Sequence, residues 1–533
     1  MTARPKLLLS SVCKPFGPKH GDGFSTRPSA LWQNTWVQGA FIPETVDFHW
    51  GLDLIAKNLE TPTKVLHYPS MARFVLELKR HRYDYVGLSF NECTFHKMEP
   101  MARAVRTHSP HSKIILGGYG TTLPDEEIGH LGDHICREEA IGFMRRLLGE
   151  PDRPFQHPLV TVDNWLFSLP LLGKTGMIAA GLGCPNGCDF CLTSHYFKRK
   201  HIAYLPTGQA IVDLMQRHRQ LRPDLNAFCI YDEDLLLFKR RGREFLEAMR
   251  KTDFVPQITI FTSMKALSFY EPSELAEMGI GSIWIGFEGK RAGYDKMEGA
   301  KGFAETIAEL KTYGIHVVLC MIIGFDYQTA DTIREELAEF IACKPTLAQF
   351  MIYGPSGGTP LLRRLAEEGR LNDRYQNKAL REGYSLCFDH PHIGADEMEE
   401  LLRECYRTEY EANGPSIYRY MDGFLQCYLH LKDSDDWRLR ERAMQCRDFV
   451  RFSWGAYDAG LSFAPNDEVR RRIADLYEQV VHHIGPPSLK DKALSRLGRA
   501  AARLTDYRYK KEILMQPRTR VARYNWFGRP DTL

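Results

Sequence analysis

The chain has 533 residues, 44% of them hydrophobic and 26% charged, with a formal net charge of +3. That length suits about two to four globular domains and excludes a small disulfide-stapled scaffold, and the nearly balanced charge gives no reason to expect a nucleic-acid or membrane partner. The apolar run Leu7 to Val12 is too short for a secretory leader or a membrane span, so a cytoplasmic protein without a transmembrane segment is expected.

In chain order, the first 150 residues alternate strand and helix signals. Lys6 to Val12, Lys64 to His67, Tyr85 to Phe90, Lys113 to Gly117 and His134 to Cys136 read as strands. Between them, Ser70 to Arg82 carries Met71, Phe74, Val75 and Leu78 on one helical face. Met98 to Thr107 and Glu138 to Leu148 read as further helices. Such alternation predicts a parallel sheet covered by helices, with ligands beyond the strands' carboxyl ends. Residues 151–175 hold several prolines and little periodicity, and read as a linker.

A second series follows. Strands are predicted at Met177–Gly183, Ala227–Tyr231, Gln257–Thr262, Ser282–Phe287, Val317–Ile323 and Ala348–Tyr353, with helices between them. Six strands in this pattern predict a partial (β/α)6 TIM-like barrel over residues 176–372, with its active site at the strand carboxyl ends. From 373 to 533 the strand signal fades. Helices are predicted at Glu397–Asn413, Arg438–Val450 and Asn466–His483. The segment after Pro487 carries 12 Lys or Arg against 4 Asp or Glu.

Of the 13 cysteines, three lie within eight positions in Gly183-Cys184-Pro-Asn-Gly-Cys188-Asp-Phe-Cys191. Three closely spaced thiolates suit an iron–sulfur cluster, which normally takes four ligands, so one iron is left for a small molecule. Zinc is the alternative, with His195 as its best fourth ligand, but the chain has no second cysteine pair. Cys387, Cys405, Cys427 and Cys446 are widely spaced and read as core residues.

The cysteine segment, with Phe190 before its third cysteine, resembles the signature of the radical S-adenosylmethionine (SAM) enzymes. The likeness continues through the acidic strand end Phe228 to Asp234, through Phe261-Thr-Ser263, through Ile285-Gly-Phe-Glu288 and through Ile323-Gly-Phe-Asp326. It ends in the Pro- and Gly-rich stretch after Tyr353. In the first domain, Ile114-Ile-Leu-Gly-Gly118, Thr121, Pro124 to Glu127, Asp133 and Arg137-Glu-Glu139 are similar to the cobalamin-binding domain of cobalamin-dependent radical SAM enzymes. The resemblance implies an α/β protein with a Rossmann-like cobalamin-binding domain (1–150), a radical SAM barrel and a mainly helical remainder. It implies a [4Fe–4S] cluster on Cys184, Cys188 and Cys191. Phe190, Asp232, Ser263 and Glu288 become candidate SAM contacts, although capping is an even alternative for Asp232 and Ser263. Ser89, Asn91, Gly117, Gly118, Tyr119 and Thr121 become candidates for cobalamin. The D-x-H-x-x-G motif that supplies a cobalt-ligating histidine elsewhere is missing; Lys19-His-Gly-Asp-Gly23 has the wrong order.

The implied activity is C-methylation of an unactivated carbon in a small-molecule or lipid substrate. An electron donor such as flavodoxin or ferredoxin would serve it. A non-methylating rearrangement or C–C bond formation is the rival, and a non-catalytic cobalamin or redox sensor is the alternative of another class. The basic end, with its interleaved tyrosines, reads as a solvated helix face or as a surface for peripheral membrane contact.

Overall fold

A computed structural model describes residues 5–14, 36–41, 43–46, 49–166, 173–288, 302–511, 518–526 and 531. Strands Leu7–Ser11, Thr63–His67, Tyr85–Ser89, Lys113–Gly117 and His134–Ile135 form a parallel sheet in which Leu7–Ser11 lies between Thr63–His67 and Tyr85–Ser89. Both faces are covered. Leu8, Leu66, Val86 and Ile114 pack with Phe74 and Met98 on one side. Leu7, Leu9, Val65 and Ile115 pack with Met144 on the other. Strict alternation between two cores explains the unbroken apolar runs. This is the predicted Rossmann-like architecture.

The barrel strands are Lys174–Ala179, Ala227–Tyr231, Gln257–Phe261, Ile280–Gly286, His316–Ile323 and Leu347–Ile352, all parallel and paired in chain order. Among the described residues the sheet does not close. On its last strand, the Tyr406 hydroxyl accepts from Phe350 N–H (3.1 Å) and donates to Phe350 O (2.9 Å). The helix Ala395–Asn413 that carries Tyr406 thereby blunts an open edge.

Three strands depart from the expectation. Val160–Leu166, inside the segment read as a linker, pairs antiparallel with Lys174–Ala179, and Pro43–Val46 pairs with it in turn. A bare linker would leave the first barrel strand's edge unpaired, which is the physical reason for the difference. Arg520–Tyr524 pairs antiparallel with Thr63–His67, so a strand from far along the chain completes the first sheet.

Helices Ser416–Leu431 and Trp437–Phe452 pack at the strand amino ends, Tyr420 and Phe424 of the first against His316. Arg442, fully buried on helix Trp437–Phe452, donates to the carbonyls of Ile280 (2.6 Å), Tyr313 (2.6 Å) and Gly314 (3.0 Å). Arg438 reaches the carbonyls of Thr252, Phe254 and Glu277 in the same way. This helix therefore closes the end of the barrel opposite the mouth.

His157 illustrates a pH liability of the fold. Its Nε2 accepts from Ala179 N–H (2.7 Å) and its Nδ1 donates to Pro158 O (2.6 Å). A proton on Nε2 would face another N–H. Burial pushes its pKa down to about 3, and that of buried His218 down to about 4. Both folded values lie below the unfolded value of about 6.5, so the unfolded state takes up protons first as pH falls. Stability is then lost progressively from about pH 6.5 downward, at up to about 1.4 kcal/mol per pH unit per group. The urea midpoint should fall between about pH 7.5 and pH 5, and His157→Gln should flatten that slope. An unchanged midpoint would contradict neutral burial.

Candidate active site

The cysteine loop starts where the first barrel strand has ended. Gly183 opens it at φ +80, and a Cβ there would lie 2.2 Å from Lys200 O, so only glycine fits. Ser194 Oγ donates to Cys184 O (2.7 Å) and accepts from Gly187 N–H (3.2 Å). Arg199 donates to Pro185 O (3.2 Å). Cys184 and Cys188 are buried and Cys191 is half-buried. Burial above all, then the charges of Asp234 and Cys191, pushes the Cys184 thiol up to about 12.

Among the described residues no three His, Cys, Asp or Glu side chains are gathered tightly enough for one metal ion. A cubane makes no such demand, because it spreads its thiolates over separate irons. His195, the proposed fourth zinc ligand, sets its Nε2 3.1 Å from Cys188 O instead. A pre-shaped three-thiol loop of this kind fits a cluster with one iron left open.

The loop is fastened to the sixth strand. Tyr353 donates to Asp189 Oδ2 (2.7 Å), Phe190 meets the Tyr353 ring edge-on at 5.9 Å, and Leu361 N–H donates to Asp189 O (3.2 Å). Phe190 thus lies at the mouth with Tyr353 behind it. Asp326, at the end of the fifth strand, is held by Arg364 and Arg370, which lower its carboxyl to about 2.

The other candidates divide. Glu288 follows the fourth strand in a left-handed conformation (φ 56°), at the expected rim. Ser263 caps helix Met264–Leu267 by accepting from Ala266 N–H (3.2 Å). Asp232 is buried and taken up by Arg241 (2.8 Å) and His201 (3.0 Å), which hold its carboxyl low against the cost of burial. Capping and ion pairing thus engage Ser263 and Asp232.

Glu233 is a residue that the sequence reading passed over. The side chain is exposed to solvent, and crowding by surrounding atoms and then the charge of Asp232 raise its carboxyl above the usual range. It directly follows Asp232, just past the end of the second barrel strand. The Asp-Glu-Asp run at a strand end was the available signal.

The first domain's strand ends face this loop. Tyr119 OH lies 3.3 Å from Thr193 Oγ1, and the Tyr119 and Tyr196 rings meet edge-on at 5.2 Å. Thr121 is fully buried, donating to Gly118 O and Cys136 O and touching Tyr196 OH at 3.2 Å. Thr121 therefore joins the two sheets and has no surface left for a ligand. Glu92 accepts from Gly357 N–H (2.8 Å) and Thr122 Oγ1 (2.9 Å) and pairs with buried Arg381 (2.9 Å). Asn91 is exposed beside it, as the cap of turn Glu92–Thr94. Gly117 and Gly118 end their strand, and nothing lies within 4 Å of where a Gly117 Cβ would sit. That open cradle fits a bulky ligand.

Ser89 has a partner that the sequence reading missed. Its Oγ lies 2.9 Å from His49 Nε2. Burial, then His67, pushes His49 down to about 4, so its imidazole is neutral. Its partner Ser89 ends strand Tyr85–Ser89, which with Leu7–Ser11 borders the crevice where the strand order reverses. The signal was Asp47-Phe48-His49-Trp50-Gly51, one residue shorter than D-x-H-x-x-G.

No protein-family model matches the chain. It is 23% identical over 340 residues to a hopanoid C-2 methylase of Rhodopseudomonas palustris, covering 57% of this chain and 60% of the relative. It is 23% identical over 257 residues to a bacteriochlorophyllide d C-12(1)-methyltransferase of Chlorobaculum tepidum, covering 46% and 53%. The chain thus matches little more than half the length of these curated relatives. Among solved structures it is similar to the radical SAM methyltransferase TsrM of Kitasatospora setae with cobalamin and a [4Fe–4S] cluster bound. The TM-score is 0.55 at 12% identity, over 84% of this chain and all of that one. The form with tryptophan and a SAM analogue gives a TM-score of 0.50 at 12% identity, over 69% and 76%. The fold, two sheets followed by helices, is the one that these structures share.

Proposed function

We propose that this chain is a cobalamin-dependent radical SAM enzyme that methylates an unactivated carbon. The observation that carries the reading is the meeting of two ligand edges: Tyr119 and Thr121, in the turn that follows strand Lys113–Gly117, touch the helix that directly follows Cys191. In this reading residues 1–150 serve cobalamin, 176–372 hold the cluster and SAM, and 373–533 form a mainly helical domain whose helix Trp437–Phe452 closes the barrel's far end. Cys184, Cys188 and Cys191 would hold iron. Phe190 and Glu288 would line the SAM side of the mouth, and Ser89, Asn91, Gly117, Gly118 and His49 the cobalamin side. When bound, the cluster supplies the electron that splits SAM, and cobalamin carries the methyl group. The chain's own residues do the positioning. Tyr353 and Asp189 fix the cysteine loop, while Thr121, Glu92 and Arg381 keep the two edges facing. The electron would come from a flavodoxin- or ferredoxin-type donor, and the substrate would be a small molecule or a lipid.

The test is anaerobic reconstitution with iron, sulfide and hydroxocobalamin, followed by mass spectrometry of extracts incubated with methyl-labelled SAM. A product heavier by one labelled methylene unit supports the proposal. SAM cleavage with an unmethylated product would turn it into the rearrangement reading.

A further inference from the structure

Helix Leu489–Lys510 is inside out. With about 3.6 residues per turn, one stripe carries Ser495, Gly498, Ala502 and Thr505. This small, partly polar stripe faces the protein: Ser495, Ala502 and Thr505 are buried, and Ser495 Oγ accepts from Asp458 N–H (3.2 Å). At Gly498 a Cβ would lie 2.1 Å from Gly455 O, so the backbones approach closely there. The large apolar residues point the other way. Leu489, Leu494, Leu497, Leu504 and Tyr507 are between 46% and 86% exposed. Folding of the chain alone explains the first stripe and leaves the second in water.

One side of the leucine arc is basic. Lys492, Arg496 and Arg503 are exposed on the sector beyond the leucines, with Arg499 half-exposed beside them. The helix's two acidic residues, Asp491 and Asp506, are half-buried, away from the leucine arc. An apolar arc flanked by cations is complementary to an anionic bilayer: leucines enter the acyl boundary while Lys and Arg meet the headgroups. The length of the helix allows it to lie flat, and among the described residues no helix is long and apolar enough to cross a membrane.

We infer that the exposed leucine arc of Leu489–Lys510, with its flanking arginines, docks the protein on the surface of an anionic lipid membrane. The inference stands apart from the chemistry proposed above, since it uses none of those residues. It does raise the standing of a substrate that resides in, or partitions into, a bilayer.

The test is flotation of the full chain with two sets of vesicles, one of phosphatidylcholine alone and one with about a third phosphatidylglycerol. Binding is expected only to the anionic set and should weaken as salt rises. Leu497→Glu with Leu504→Glu should lower the partition coefficient at least about tenfold. Arg496→Gln with Arg503→Gln should remove the preference for anionic vesicles. All four side chains are exposed, so circular dichroism should stay unchanged in both variants. Failure of the native chain to float with anionic vesicles would overturn the inference. So would binding indifferent to the leucine changes. Self-association that the leucine variant abolishes, without vesicle binding, would reassign the arc to a second copy of the chain. SAM cleavage measured in detergent-free buffer reports on the enzyme reading separately.

Discussion

Cys188→Ala is expected to abolish both iron–sulfur absorbance and 5′-deoxyadenosine formation while leaving the fold intact. The thiol is buried in the centre of the loop, and its removal leaves two thiolates where three already fall short of the usual four. The loop's shape does not depend on it. Ser194, Arg199 and the Asp189–Tyr353 pair hold the backbone and its neighbours. Iron content after reconstitution, absorbance and nucleoside production are the measurements. Cys405→Ala serves as control. Cys405 is buried in the barrel's outer core and should keep full iron content at a modest cost in stability. SAM cleavage surviving in Cys188→Ala would remove the cluster assignment.

Glu92→Ala is expected to cost about 3–5 kcal/mol, because it leaves the Arg381 guanidinium buried without its counter-charge. Both side chains are only 6% exposed at 2.9 Å separation. The same carboxylate accepts from Gly357 N–H and Thr122 Oγ1, so three segments from two sheets meet on one group. Chemical denaturation reads the loss. A second readout separates joining from mere stability: 5′-deoxyadenosine should continue to form while methylated product falls, because the two ligand edges lose register. Glu92→Gln keeps an acceptor for Gly357 and should recover part of both. A proportional fall of the two products would refute a joining role.

Much of the architecture was readable because its signals are local. The six barrel strands are apolar runs that alternate with helices, and the cysteine spacing is contained in eight residues. What escaped depends on distant partners. Arg520-Val-Ala-Arg-Tyr524 is a strand only because Thr63–His67 offers it an edge. Val160–Leu166 was hidden among prolines for the same reason. At the site, short polar residues near strand ends could equally bind ligand or serve the fold, and sequence does not separate these roles. Asp232 found Arg241, Ser263 found a helix end, and Thr121 found Tyr196. Conversely, His49 gains its meaning from a neighbour far along the chain, Ser89.

The strand Arg520–Tyr524 has a consequence for biogenesis. On the ribosome, the first sheet's core emerges early, but its outer strand and the Tyr524 hydroxyl that meets Asp53 (2.8 Å) arrive only after the barrel and helices. Until then Thr63–His67 offers a nascent chain an unprotected hydrogen-bonding edge. Completion of the first sheet is therefore timed by translation of a segment far along the chain, and a ribosome stalled before it would display a sticky, unfinished sheet to the chaperones.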